Sequence, residues 1–134
     1  MFTIYMKTNV CLNVVTGDGD QPEAVLIRAG QVLEGAEEIK GNRLGGGRNL
    51  GKKREVDLTN GPGKLGQAFG AGVEWSGCDF VENDQFYVEE EVGYSLGEDD
   101  IVTSARINID SSGPQWSKKP WRFHIRGNPY VSKK

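Results

Sequence analysis

The residues from Asn60 to Phe69 constrain the local structure of the chain most strongly, because a helix start and an apolar helical face coincide there. Pro62 suits the first helical turn, where its missing N–H costs nothing, and the two residues before it can cap the helix. Leu65, Ala68 and Phe69 recur at helical spacing and form one apolar face. The stretch therefore predicts a helix over residues 61–69.

Lys64 lies in the first turn of this predicted helix. A helix N-terminus with a lysine beside it attracts anions, of which phosphate is the most common. The alternative is a capped surface helix with a solvated lysine, and this stretch alone favours that alternative.

The length of 134 residues allows one domain with a core, burying about two thirds of its extended surface. Its two cysteines, Cys11 and Cys78, make neither a disulfide framework nor a metal set, which fits a reducing compartment. A signal peptide and a membrane span are not expected, because no charged n-region precedes a long apolar run. We expect a nuclear or cytoplasmic protein that is not secreted.

The charges are segregated along the chain, although the net charge is only −3. Residues 40–64 contain seven basic residues and two acidic ones, and residues 111–134 contain six basic residues and no acid. Residues 65–105 contain ten acids and neither Lys nor Arg. Such a pattern predicts a basic face that can steer an anion despite the acidic total.

The first part of the chain predicts a β-hairpin. Phe2–Val15 and Glu23–Ala29 have strand character, and the residues between them are typical of a turn. Asn13 and Arg28 are polar positions inside these apolar runs. Each is either hydrogen-bonded within the structure or functional, because burying an unpaired polar group costs a few kcal/mol.

A glycine-rich basic loop is predicted over Gly41–Lys53, after a short helix over Glu34–Lys40. The loop nearly matches the phosphate loop of nucleotide hydrolases, but Lys53 occupies the position of the Ser or Thr that would hold magnesium. No apolar strand leads into the loop, so we reject nucleotide hydrolysis.

The second half predicts two further strands, Ile101–Ile109 and Trp121–Arg126, with a loop from Pro114 to Pro120 between them. The second strand alternates strictly, which places the side chains of Arg122, His124 and Arg126 on one face. His124 is the only histidine, and the simplest interpretation is a half-exposed strand residue.

The expected core contacts of the acidic region are Phe80, Phe86, Tyr87 and Val88. The predicted architecture is a single α+β domain with a mainly antiparallel sheet.

Five separated segments, in this order, resemble the 3-methyladenine (alkyladenine) DNA glycosylase family. They cover most of the chain: CLNVVTG at 11–17, EAVLIRA at 23–29, REVDLTNGPGKLGQAF at 54–69, ARINID at 105–110 and KKPWRFHIRGNPYVSK at 118–133. The resemblance implies a single α+β domain, residues 1–134, around a curved antiparallel sheet. It also implies base-excision repair of double-stranded DNA by hydrolysis of the N-glycosidic bond of alkylated purines, with no metal or other cofactor.

The resemblance assigns roles to individual residues. Asn13, with Cys11 beside it, matches the base pocket, where the asparagine crowds normal purines that carry an exocyclic amino group. Arg28 matches the arginine that helps to hold the attacking water. Ile107 matches the position whose backbone carbonyl also holds that water. Lys64 matches a lysine that contacts phosphate. Further DNA contacts are expected from the basic loop and the last strand, at Arg48, Lys52, Lys53, Arg122 and Arg126.

Two departures from the family pattern bear on activity. The intercalating tyrosine corresponds to Tyr5, but the spacing to Cys11 is one residue longer than usual, so that Met6 takes this place in an ungapped match. The general-base glutamate lies upstream of the tyrosine strand in the family, and no acid of this chain matches it. The chain thus resembles the family without its N-terminal part, and a second chain could supply that part; otherwise we expect a monomer.

Two hypotheses follow from the sequence. The first is a DNA repair glycosylase whose isolated residues 1–134 are weakly active or inactive, because a general base contributes about 10²–10⁴-fold in rate. The second is a non-catalytic member that binds nucleic acid or another protein.

Overall fold

The computed structural model describes residues 5–6, 9–17, 20–21, 23–45, 54–79 and 81–132. These form an α+β structure of short helices and antiparallel strand pairs, as the sequence predicts. In chain order the elements are β1 (Tyr5–Met6), β2 (Asn9–Val10), β3 (Asn13–Val15), β4 (Ala24–Leu26), α1 (Ala36–Leu44), α2 (Pro62–Ala68), β5 (Ile101–Ser104), α3 (Pro114–Ser117) and β6 (Arg122–Ile125). Single 3₁₀ turns cover Glu55–Asp57, Val73–Trp75, Glu98–Asp100 and Asp110–Ser112.

The strands of the described residues form three separate two-stranded antiparallel ribbons, β1–β2, β3–β4 and β5–β6. The β3–β4 ribbon is the predicted hairpin, with Asn13 opposite Leu26 and Val15 opposite Ala24. The single strand predicted over Phe2–Val15 is wrong, because β1 and β2 pair with each other and β3 pairs with β4. The described ranges contain no single sheet that joins the three ribbons.

Helix α1 ends later than predicted, at Leu44, because two polar side chains of its last turns find partners on the neighbouring elements. Asn42 donates its amide Nδ2 to the carbonyl of Ala68, 2.9 Å away, which satisfies one carbonyl at the end of α2. The buried Arg43 guanidinium donates to the carbonyls of Asp57 and Leu58, at 2.7 and 2.6 Å. These bonds hold the chain that enters α2 against α1.

Helix α2 begins at Pro62, as predicted, with Gly61 as its N-cap in an extended conformation. Leu65 and Ala68 of the predicted apolar face are buried, whereas Phe69 is about half exposed. Leu65 forms the centre of the core with Leu12, which directly precedes β3. The core therefore joins α2 to the β3–β4 ribbon.

Aromatic rings extend this core beyond α2. Phe86 packs against the core cluster, and its ring makes edge-to-face contacts with Phe69 and Trp75, at centroid distances of 5.3 and 5.2 Å. The prediction of core positions at Tyr87 and Val88 is wrong, since both are exposed. The fourth predicted core residue, Phe80, lies outside the described residues.

The region after residue 104 also differs from the prediction. Strand β5 ends at Ser104 because β6 offers four partners and no more, from Ile101 opposite Ile125 to Ser104 opposite Arg122. The predicted loop between the two prolines begins with the short helix α3. Among the described residues, no helix is long and apolar enough to cross a membrane.

Candidate active site

The side chain of Asn13 lies at the base of the β3–β4 ribbon and is only 6 % exposed. Its Nδ2 donates to the carbonyl of Cys11 at 3.4 Å, a long and therefore weak hydrogen bond. Cys11 is buried next to it, and burial raises the pKa of its thiol, so the group stays protonated and unreactive near neutral pH. Both predicted pocket residues thus lie together at the edge of the core.

Arg28 follows β4 on the same ribbon, and the hydrogen bond from the Ile27 N–H to the carbonyl of Leu12 extends the pairing towards it. Its side chain is half-buried. Burial lowers the pKa of Arg28, and the positive charge of Arg122 lowers it further. The guanidinium nevertheless stays protonated, because an arginine keeps its proton in proteins. Arg28 is therefore a partly desolvated positive charge close to a second one.

Arg122 is the second positive charge and comes from β6. It is 8 % exposed, and its Nη1 donates to the hydroxyl of Ser104 at 3.0 Å. His124 is two residues further along β6, so its side chain is on the same face of the β5–β6 ribbon. Its Nδ1 is buried and has no hydrogen-bond partner within the described ranges, and its pKa is lowered by burial and then by Arg122 and Arg126. Arg122 thus acts electrostatically on both Arg28 and His124, and the positive charges of the two arginines favour an anion.

Ile107 lies outside the pairing of β5 with β6, which stops at Ser104. It is half-buried and precedes Asn108, whose φ of 58° is the only positive value of a non-glycine residue in the part of the chain described. Asparagine tolerates this left-handed conformation better than most residues. The carbonyl of Ile107 is therefore at a sharp turn of the backbone and takes no part in the strand ladder.

Lys64 belongs to a different network, at the start of α2. Its Nζ donates to the side-chain oxygen of Asn60, and the Nδ2 of Asn60 donates to the Asp57 carboxylate at 3.0 Å. The hydrogen bond from Arg54 is the main cause that lowers the pKa of Asp57, with smaller contributions from Asn60 and Lys64. The carboxylate stays ionised and offsets part of the positive charge of Lys64.

The structure describes only some of the remaining residues that were predicted to contact DNA. Arg126 is exposed, and its Nε donates to the carbonyl of Asp99 at 2.8 Å. The backbone of Tyr5 belongs to β1, and its side chain is not among the described parts of the chain. The predicted contacts of the basic loop, Arg48, Lys52 and Lys53, lie outside the described residues.

The structure adds two features that the sequence did not lead us to expect. Arg106 joins Lys119 and two tryptophans in a surface cluster. The available signal was the presence of two tryptophans and three basic residues within residues 116–122. Thr59 is buried and donates its hydroxyl to the carbonyl of Gly30 at 2.6 Å, which joins the start of α2 to the segment after Arg28. Nothing in the local sequence marks that contact, because its partner is 29 residues away.

In the described residues, then, an antiparallel ribbon with a buried asparagine, followed by a partly desolvated arginine, packs on the short helix α2. The family model described as methylpurine-DNA glycosylase matches residues 1–129, and the chain belongs to that family.

Three curated relatives illustrate the similarity, and each bears the name "Putative 3-methyladenine DNA glycosylase". The protein of Natranaerobius thermophilus is 38 % identical over 122 residues, covering 91 % of this chain and 58 % of the relative. That of Clostridium novyi is 38 % identical over 135 residues, covering 100 % and 64 %. That of Bacillus licheniformis is 39 % identical over 133 residues, covering 99 % and 61 %. The chain therefore spans about three fifths of the length of the relatives it matches.

Proposed function

We propose that this protein takes part in base-excision repair, removing alkylated purines from double-stranded DNA by hydrolysis of the N-glycosidic bond. One observation carries the proposal: Asn13, the expected pocket residue, is on the β3–β4 ribbon, and Arg28, the expected water-holding residue, follows the end of this ribbon. The chain also matches its family over nearly its whole length. Unless a second chain supplies part of the site, the protein would act as a monomer on chromosomal DNA, in a nucleus or a nucleoid.

The target base must leave the helical stack to be reached, which costs a few kcal/mol and least for a base that is already weakly paired. In the proposed pocket the buried Asn13 narrows the space for the flipped base. A normal purine with an exocyclic amino group would meet this side chain, whereas an alkylated adenine would be accepted. Selectivity of this kind depends on rejection as much as on attraction.

The attacking water would be held by Arg28 and by the carbonyl of Ile107. Partial burial of Arg28 supports this role, because a charge acts more strongly where water is excluded. The general base is the remaining requirement, and no acid of residues 1–134 resembles the family's glutamate. We therefore propose that the glutamate belongs to a segment upstream, either in the same polypeptide or in a second chain.

Binding to the duplex would be electrostatic, with phosphate contacts by Lys64, Arg122, Arg126 and the basic loop. Arg122 is largely buried, so its positive charge would act from beneath the surface on an anion near Arg28. Each direct phosphate contact that is lost should reduce the salt dependence of log affinity by about 0.9. A binding affinity that does not change with salt would contradict the nucleic-acid interpretation.

The proposal is tested with a synthetic duplex carrying one alkylated purine, under single-turnover conditions. Residues 1–134 alone should excise the base much more slowly than a full-length relative, by about 10²–10⁴-fold if only the general base is lacking. Adding the upstream segment of a relative, fused or as a second chain, should restore excision. Rapid excision by residues 1–134 alone would show that another acid serves as the base.

The variant Arg28→Gln, made in the protein to which the upstream segment has been added, tests whether Arg28 positions the water. Misplacing the nucleophile can cost about 10²-fold in rate, so we expect a loss of that order. Arg54→Gln is the matched control, because Arg54 is an exposed arginine that pairs with Asp57, three residues away. If the restored protein binds the duplex but never excises the base, the chain is a non-catalytic binding protein and the glycosylase proposal fails.

A further inference from the structure

A lysine ammonium lies between two tryptophan rings at the surface beside β6. The Nζ of Lys119 is 4.2 Å from the ring centroid of Trp116, on α3, and 4.4 Å from that of Trp121. The two ring centroids are 5.8 Å apart and the rings are tilted by 44°. Both distances are within the range in which a cation is attracted by an indole face. The ammonium is thus held in position by two rings.

A second cation uses the same aromatic group. The guanidinium carbon of Arg106 is 5.2 Å from the centroid of Trp121, and its Nη2 donates to the carbonyl of Trp116 at 3.2 Å. Its Nε is buried and has no hydrogen-bond partner among the described residues. The buried Nε cannot reach a ligand from solvent, but a guanidinium has five N–H donors, so the Nη groups of Arg106 keep donor capacity for another acceptor.

The surroundings of this cation–indole cluster (Arg106, Trp116, Lys119 and Trp121) favour an anion. Residues 105–134, which contain the whole cluster, include seven basic residues and one acid, Asp110. Trp116 and Trp121 are 43 % and 48 % exposed, so a ligand can reach the cluster from solvent. Two cations on one ring repel each other, and a bound anion would relieve that repulsion.

We propose that Arg106 and Lys119, held by Trp116 and Trp121, bind a phosphate of the DNA backbone next to the extruded nucleotide. The site rests on the proposed function for its location, because Arg106 directly precedes Ile107, whose carbonyl would hold the water. The rings restrict Lys119 before binding, so less side-chain freedom is lost when the phosphate arrives.

The test measures binding to a duplex that carries one alkylated purine at several salt concentrations, and excision is not needed. Trp75→Phe serves as the background, because it keeps an aromatic ring beside Phe86 and leaves Trp116 and Trp121 as the only tryptophans. Binding of DNA should change the fluorescence of Trp116 and Trp121. Lys119→Ala should reduce the slope of log affinity against log salt by about one, as expected for one lost phosphate contact.

Lys118→Ala is the matched control, since it removes the same charge from the neighbouring, exposed residue. It should change the slope less than Lys119→Ala. The variant with Trp116→Leu and Trp121→Leu keeps both cations, and its binding is followed by anisotropy of a labelled duplex. Its affinity should fall if the rings position the cations, and circular dichroism checks that it folds.

Equal slopes for Lys118→Ala and Lys119→Ala would overturn the phosphate site, as would a fluorescence signal that does not respond to DNA. The outcome is separable from that of the proposed function. A reduced slope in Lys119→Ala together with no excision under any condition would keep the phosphate site and reject the glycosylase. Excision together with equal slopes for the two lysine variants would keep the glycosylase and reject the phosphate site.

Discussion

Gly66 of α2 packs directly on the backbone of Val10, so closely that a Cβ on Gly66 would lie 2.0 Å from the Val10 carbonyl oxygen. Only glycine allows this approach of helix to strand. Val10 ends β2, and the chain continues from it through Cys11 to Asn13. The position of α2 therefore helps to determine where Cys11 and Asn13, the proposed pocket residues, lie.

We expect Gly66→Ala to destabilise the protein, because the added methyl group forces α2 away from Val10. Overpacking of this kind typically costs about 1–3 kcal/mol. The matched control is Gly41→Ala in α1, where a Cβ would meet no atom within 4 Å. Alanine in a helix interior is favoured over glycine by about 0.5–1 kcal/mol, so this change should stabilise. Urea unfolding of both variants measures the two effects, and a shift in the same direction would contradict the packing argument.

We expect Thr59→Val to cost about 1–3 kcal/mol, because it keeps the side-chain shape but leaves the carbonyl of Gly30 without its hydrogen bond. Thr103→Val is the control: Thr103 is exposed on β5, and exposed substitutions usually remain within about 0.5 kcal/mol. The free energy of unfolding in urea distinguishes them. Equal stability of the two variants would mean that the Thr59 bond contributes nothing.

The stability of the protein should depend on pH through the protonation of His124. Its folded pKa is lowered from the ordinary 6.5 by burial and then by Arg122 and Arg126, so the unfolded chain binds a proton more readily than the native one. Stability is then complete above about pH 6.5 and falls as the pH decreases from there to the folded pKa. His124 is the only histidine, and Asp and Glu titrate mainly lower, near pH 4. Unfolding in urea from pH 5 to 7.5 should show this fall, and His124→Gln should abolish it.

Asn13→Ser should relax the discrimination against normal purines, because a smaller side chain enlarges the proposed pocket. The measurement is the ratio of affinities for duplexes with and without an alkylated purine, taken at one salt concentration. We expect this ratio to fall in the variant while its affinity for undamaged DNA stays the same or rises. An unchanged ratio would assign Asn13 a purely structural role in the β3–β4 ribbon.

Local signals in the amino-acid sequence were sufficient to predict several elements. Pro62 and the apolar spacing after it predicted α2, alternation predicted β6, and the turn residues between two apolar runs predicted the β3–β4 ribbon. Five matching segments were enough to indicate the family. Residue types and short spacings supported these conclusions, because helix starts and turns depend on neighbouring residues.

Tertiary packing determined where the helices and strands end and which residues remote in the chain come into contact. Strand β5 stops at Ser104 because its partner strand ends, and α1 continues to Leu44, where Arg43 and Asn42 bind backbone carbonyls of distant residues. The proximity of Arg28 to Arg122, and the close contact of Gly66 with Val10, likewise join residues that are far apart in the chain. Such contacts arise only when packed elements bring remote backbone and charge together, so local patterns could not predict them.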